Sequence, residues 1–282
     1  MLDLLSTLRE GAMPVQALIG AGALFGISGN AARVELARLV ARGLVDRDGR
    51  GQYRLAAGAR AVQEHVASWR RLEDRVVAWP GTWTGVLTGH LPRTDRAAVR
   101  RRARALDLMG FRELEAGFSV RPDNLRGGTE EIRRRLHGLG LERSATVFTV
   151  AELDAAADAR ARGLWDALAL QRAYRETQRR LEASEQRLQR LSPDHAMAET
   201  FLLGGEAIRQ LVYDPLLPEP IVPAAGRHAL VEATRHYDRV GRACWRRFMR
   251  MHGAPHRQSP VDLRLIDGDP AGTLPAAVGG PP

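Results

Sequence analysis

The stretch NAARVELARLVARGLVDRDGRGQYRL, residues 30–55, decides how the first part of the chain is read. At 100° per residue, Ala32, Leu36, Leu39, Val40 and Gly43 share one helical face, which is expected to pack inward. Asn30, Arg33, Val34, Ala37, Arg38 and Ala41 share the other, with Arg42 one position beyond. Small apolar side chains between arginines suit a helix entering a DNA major groove. Val34 and Ala37 are short enough to touch thymine methyls, and Arg33 and Arg38 reach guanine or phosphate from the edges. Two short alternating strands follow, 44–47 and 52–55, joined by Asp48, Gly49, Arg50 and Gly51, a composition that supplies the positive φ angles of a tight turn. Arg50 stands at that tip, placed for a minor groove or a backbone phosphate.

Upstream, Leu2, Leu4, Leu5 and Leu8 predict a first helix. Pro14 suits the first turn of a second that runs through Val15, Leu18 and Ile19 toward Phe25 and Gly26. Ser28 or Asn30 is placed to cap the third. Three helices and a hairpin describe a winged helix-turn-helix, expected over 1–60. Winged helices also serve as protein-interaction modules, so an adaptor is the rival reading of this unit.

An amphipathic helix over 57–75 (Val62, Val66, Trp69, Leu72) reads as a connector, assigned to 61–78. Then TWTGVLTG (82–89) predicts a strand, 95–110 a helix and 111–122 a hairpin turning near Ala116 and Gly117. Thr129 is the expected cap of a helix to His137 with Glu130 and Glu131 at its positive end, and 144–153 a last strand. The order βαββαβ is that of a ferredoxin-like domain, expected over 79–158. Arg96, Arg100, Arg101, Arg102 and Arg104 crowd its first helix, either as a solvated face or as a phosphate site for a ligand or a second stretch of DNA backbone. Trp79 and Trp83 are candidates for an aromatic ligand wall, against the alternative of core packing.

The remainder is helical, 159–252: an amphipathic segment over 164–191 with Trp165, Leu168, Tyr174, Leu181 and Leu188 on related faces, a helix capped by Ser192 and Pro193, the loop DPLLPEPIVP (214–223), and a helix from Arg227 to Met251. Four prolines in that loop forbid regular helix. The Pro- and Gly-rich tail, 253–282, is expected to be disordered. The fold class is therefore α+β.

Charge narrows the partner. The net charge is +9, and all 42 basic residues are arginine, whose planar fork suits phosphate and guanine. Residues 1–60 carry 8 arginines and 5 acids, 61–160 carry 17 and 14, and 161–282 carry 17 and 14, a surplus of 3 in each. Bulk charge therefore does not single out the binding region. No run approaches the ~18 uncharged apolar residues of a membrane span, and MLDLLSTLRE lacks a basic leader, so a cytoplasmic protein without membrane contact is expected. Cys244 permits no internal disulfide and reads as a buried, inert thiol. No phosphate-binding loop with its lysine, no H-E-x-x-H and no G-x-S-x-G occurs. His252 and His256 are four apart but border the tail. A metal-dependent nucleic-acid-processing enzyme on the ferredoxin-like domain would need carboxylates where Thr88, Gly89 and His90 stand. No catalytic residue, metal site or cofactor is assigned, and no enzyme activity is expected.

Several strings together resemble the PaaX family to about residue 251: FGI before ARVELARLVARGLV (32–45), QYRL (52–55), the Trp-Pro-Gly-Thr-Trp segment (79–83), GFRELEAGFSVRP (110–122), LWDALALQRAY (164–174) and, most specific, DPLLPEPIVP. The resemblance implies a homodimeric transcriptional repressor of an aromatic-acid operon, on a near-palindromic double-stranded operator, released by an acyl-CoA thioester such as phenylacetyl-CoA. It matches Arg33 to a recognition-helix arginine and Tyr53 to a wing tyrosine. It transfers no ligand residues; Trp79, Trp83, Arg100, Arg101 and Arg104 are the candidates read from the residues. The segment after DPLLPEPIVP, AAGRHA, lacks an expected tryptophan, so another acyl-CoA, or no small ligand, stays open.

Overall fold

The computed structural model describes Leu5 and residues 12–252. The first helix, expected through Leu2, Leu4 and Leu8, lies outside the described residues except for Leu5, which is helical and buried. His256 and the tail from 253 also lie outside them.

Met13–Pro14 (β1) pairs with Gln52–Leu55 (β3), Met13 opposite Tyr53, and β3 pairs in turn with Val45–Arg47 (β2). The strand at Met13 was not legible as one: Pro14 lacks an N–H and tolerates only such an edge position. Its φ of −58° then leads the chain into helix α1, Val15–Ala23. Helix α2, Gly29–Ala41, is capped by Ser28, whose Oγ accepts the Ala31 N–H at 3.2 Å. Gly43, at φ +67°, ends it: the Leu44 N–H turns back to the Leu39 carbonyl at 3.0 Å. Ala32, Leu36 and Leu39 are buried as expected. Val40 and Gly43 are not. Val40 lies at the flank of the buried stripe, 80° from Ala32, and Gly43 lies past the helix end.

The connector is shorter than expected. Helix α3, Arg60–Ala67, gives way to 3₁₀ turns at Ser68–Arg71 and Glu73–Arg75. The Ser68 hydroxyl donates to the His65 carbonyl at 2.6 Å, the local competition by which serine unsettles a helix. The inward face is still Val62, Val66, Trp69 and Leu72, all buried.

Next come β4 (Trp83–Leu87), α4 (Arg96–Leu108), β5 (Arg112–Glu115), β6 (Phe118–Pro122), α5 (Gly128–Leu139) and β7 (Thr146–Val150). The sheet order is β5-β6-β4-β7 with every neighbour antiparallel. Thr129 does not cap α5. That helix starts after Gly127 at φ +87°, and the Thr129 hydroxyl is shared between those of Thr84 at 3.2 Å and Thr149 at 2.8 Å. A further helix, α6 (Ala155–Arg162), spans the boundary expected at 158.

Helices α7 (Ala167–Leu188), α8 (Pro193–Val212) and α9 (Ala225–Met251) pack together. Tyr174, Leu181 and Leu188, seven apart, are buried; Leu168 is 71% exposed because it stands 240° round the helix from Tyr174. Cys244 is half-buried on α9, and burial pushes its thiol above the usual range. The loop 214–222 between α8 and α9 is locked inside. Asp214, Leu216, Leu217 and Val222 are buried. The Tyr174 hydroxyl donates to Asp214 Oδ2 at 2.6 Å, Arg227 Nη1 donates to the Leu217 carbonyl at 3.2 Å, and Asn124 Nδ2 donates to the Leu216 carbonyl at 2.7 Å. Burial raises Asp214 above the ordinary carboxylate range, opposed by Arg227 and by the Tyr174 hydroxyl. At Gly110, φ +73°, a Cβ would stand 2.7 Å from Pro215 Cα, so only glycine lets the end of α4 meet the loop. The chain is thus a mixed helix and sheet protein of the α+β kind.

Candidate nucleic-acid interface

Helix α2 buries one stripe on α1 and leaves the other side open. Asn30, Arg33, Val34, Ala37, Arg38, Ala41 and Arg42 are all exposed. Val34 is 43% exposed and the Arg38 side chain 72%, far more than a helix face packed under other side chains allows. Among the described residues Arg38 makes a long ion pair with Glu35, 3.9 Å, which water screens and which yields readily to a phosphate. Arg33 Nη1 lies 3.6 Å from where a Gly29 Cβ would stand, so its guanidinium is carried back toward the helix start.

The hairpin is rigid for a chemical reason. Asp48 Oδ1 accepts the N–H groups of Arg50 at 3.0 Å and Gln52 at 2.8 Å, and Gly51 takes φ +74°. That arrangement presents Arg50 at an exposed tip. Tyr53 is different. It is 7% exposed, so its ring belongs to the core beneath the hairpin rather than to the surface expected of a wing tyrosine. Strand alternation sends it inward opposite Met13, with the Arg47 guanidinium 5.8 Å from its centroid. Arg47 and Arg54 are the exposed cations on these strands, and Arg54 stands 3.8 Å from Asp46 across the ladder. They went unassigned, although alternation turns Arg54 to the face opposite Tyr53, while Arg47, directly across from Tyr53, shares its face and reaches solvent beside the ring.

The second candidate set is divided between core and surface. Trp83 is 1% exposed, donates to Asp158 Oδ1 at 3.0 Å, and stacks on Trp165 at 6.3 Å. Trp79 meets the edge of Trp83 at 5.2 Å and carries Arg162 over its ring at 4.6 Å. The tryptophans close a packing junction, and no face of Trp83 is left for a ligand. On α4, Arg100 and Arg101 are exposed whereas Arg104 is half-buried. Thr88 and His90 stand at the end of β4, where His90 Nε2 lies 2.9 Å from the Ser144 carbonyl. Among the described residues, no group of three or more His, Cys, Asp and Glu is placed to hold a metal ion, and no helix is long and apolar enough to cross a membrane.

No curated protein matches the chain. Among solved structures it is similar to uncharacterized protein Rv0674 from Mycobacterium tuberculosis, 27% identical over 87% of this chain and 95% of that one, with a TM-score of 0.55. Residues 165–249, which run from Trp165 through α7 and α8, the locked proline loop and nearly all of α9, match the family described as PaaX-like protein C-terminal domain. The resemblance first read from DPLLPEPIVP and LWDALALQRAY therefore holds over the bundle those strings build: the chain carries a PaaX-like C-terminal domain.

Proposed function

We propose that the chain is a DNA-binding transcriptional regulator of the PaaX-like kind, without enzymatic activity. Residues 12–55 act as a winged helix-turn-helix, the βαββαβ unit that follows is ferredoxin-like, and the helical region joins both into a homodimer. One observation carries the reading: a helix face of Asn30, Arg33, Val34, Ala37 and Arg38 stands open to solvent beside a stiff hairpin tipped by Arg50. Slim side chains edged by guanidinium groups fit a major groove, and a basic tip reaches a phosphate. A dimer of such units takes a near-palindromic operator with half-sites one helical turn, or a multiple, apart.

The PaaX-like domain supports repression of an aromatic-acid operon, with an acyl-CoA thioester as effector. Such an effector acts only through different affinities for two dimer geometries. Fluorescence anisotropy on the duplex upstream of its own gene, repeated with a panel of acyl-CoA thioesters, tests the polymer and the effector separately. Salt-sensitive, sequence-preferring binding that one thioester weakens is the expected result. Absence of any duplex affinity overturns the reading.

A further inference from the structure

Helices α4 and α5 sit side by side on one sheet yet handle charge in opposite ways. On α5, Glu130 and Glu131 occupy the first turn, where the helix end is positive, and Arg133, Arg134 and Arg135 pair with them; the Arg135–Glu131 contact is 2.6 Å. The charges there pair along the helix itself. On α4, Arg96 opens the helix at its positive end and Arg100 follows four residues later, a like-charged pair of the kind that weakens a helix. Arg102 alone of the middle trio is buried, donating to Glu142 at 2.7 Å and to the Pro92 carbonyl at 3.2 Å.

The flanking loops extend the pattern. Arg93 precedes the helix, and Arg143 follows Glu142 on the loop that meets α4 from the other side, where a Cβ on Gly140 would lie 3.5 Å from Arg101 Cβ. His90 at 2.9 Å from the Ser144 carbonyl ties the two loops together. Arg93, Arg96, Arg100, Arg101 and Arg143 are exposed, and no ion pair joins any of them to a described residue. The nearby acids are already engaged: Asp95 accepts the Ala97 and Ala98 N–H groups at 2.8 and 3.1 Å, and Glu142 holds Arg102. Arg100 and Arg101 act on these carboxylates only from beyond ion-pair distance, and placement against local stability rules without a direct ion pair marks a surface kept for a ligand.

We infer that these five arginines form a second DNA-contacting surface, which holds backbone phosphates of the duplex read by α2 and the hairpin. They spread along the exposed side of one helix and two flanking loops. Arg96 and Arg100 are ~6 Å apart along the axis at 1.5 Å per residue. An extended polyanion matches that layout better than a compact ligand does. This inference rests on the DNA-binding reading above.

The test compares the full-length protein with an Arg96→Gln/Arg100→Gln/Arg101→Gln variant on the upstream duplex across a salt series, with Arg33→Ala as control. Each lost phosphate contact flattens the slope of log K against log salt by ~0.9, so the triple variant should lose roughly 2.7, keep its sequence preference and melt no lower than the parent. An unchanged slope, with Arg33→Ala still impaired, overturns this inference and leaves the DNA-binding reading standing. Loss of coenzyme A binding with the DNA slope intact also overturns it, in favour of a small phosphate ligand. A parent protein with no salt-sensitive duplex affinity fails the underlying reading instead.

Discussion

Helix α2 and the loop 214–222 both mix polar and apolar residues, yet they spend their polar groups in opposite directions. The loop buries them. Asn124, Arg121 and Arg227 donate to one another or to backbone carbonyls around it, Asp214 accepts the Tyr174 hydroxyl and the Leu216 N–H, and Leu216 is held at φ +53°, where a non-glycine residue stays only under firm constraint. Helix α2 keeps Arg33, Val34 and Arg38 in solvent, at no gain to the fold. The contrast separates residues the fold needs from residues it merely displays, and changes in the two regions should separate in the same way.

The largest effect is expected at Arg121, 1% exposed, which donates to Met109, Pro122 and Pro215 carbonyls and to Asn124 Oδ1. Arg121→Leu strands those acceptors and should cost about 3 to 5 kcal/mol in denaturant unfolding, with DNA affinity intact wherever the protein stays folded. A cost under about 1 kcal/mol would show that the loop is not a keystone. At the displayed surface, Arg33→Ala and Arg38→Ala should each cost about 1 to 3 kcal/mol in duplex affinity, relax preference at one base pair, and leave unfolding within roughly 0.5 kcal/mol of the parent. Unchanged binding by both variants would refute the groove assignment.

The third effect lies between the two regions. His65 is buried with Nε2 3.3 Å from the Val212 carbonyl, just ahead of the loop; burial, then the nearby Arg75, holds its pKa down to about 3 from 6.5. The unfolded chain therefore takes up the proton first. The stability His65 contributes is complete above pH 6.5 and is lost as pH falls toward about 3, by roughly 1.5 kcal/mol between pH 6.5 and pH 5. Urea midpoints against pH, compared with those of His65→Gln, check the slope; identical profiles would remove His65 from the account. The smallest effect belongs to the wing: Arg50→Ala should weaken all duplexes alike and flatten the salt dependence by ~1, and a change in sequence preference instead would move Arg50 from phosphate to base.

Much of this was legible before any coordinates. The exposed side of α2, the tight turn at 48–51, the Ser192–Pro193 helix start and the proline loop all follow from rules that act within a few residues. The misreadings share a cause. Tyr53 and Trp83 are amphipathic side chains equally fit for a surface or a core, and only strand pairing and the arrival of Trp165 buried them. Thr129 was a sound cap by local chemistry until Thr84 and Thr149 competed for its hydroxyl.

The amino-acid order alone determined where helices start, turn and stop, and which side of α2 is slim and cationic, because capping, φ preference and periodicity are short-range. Tertiary structure decided which polar groups become buried partners and which stay in solvent. That choice depends on what packs from distant segments: Arg121 finds Pro215 and becomes a strut, while Arg38 meets its helix neighbour Glu35 at 3.9 Å and remains open to solvent.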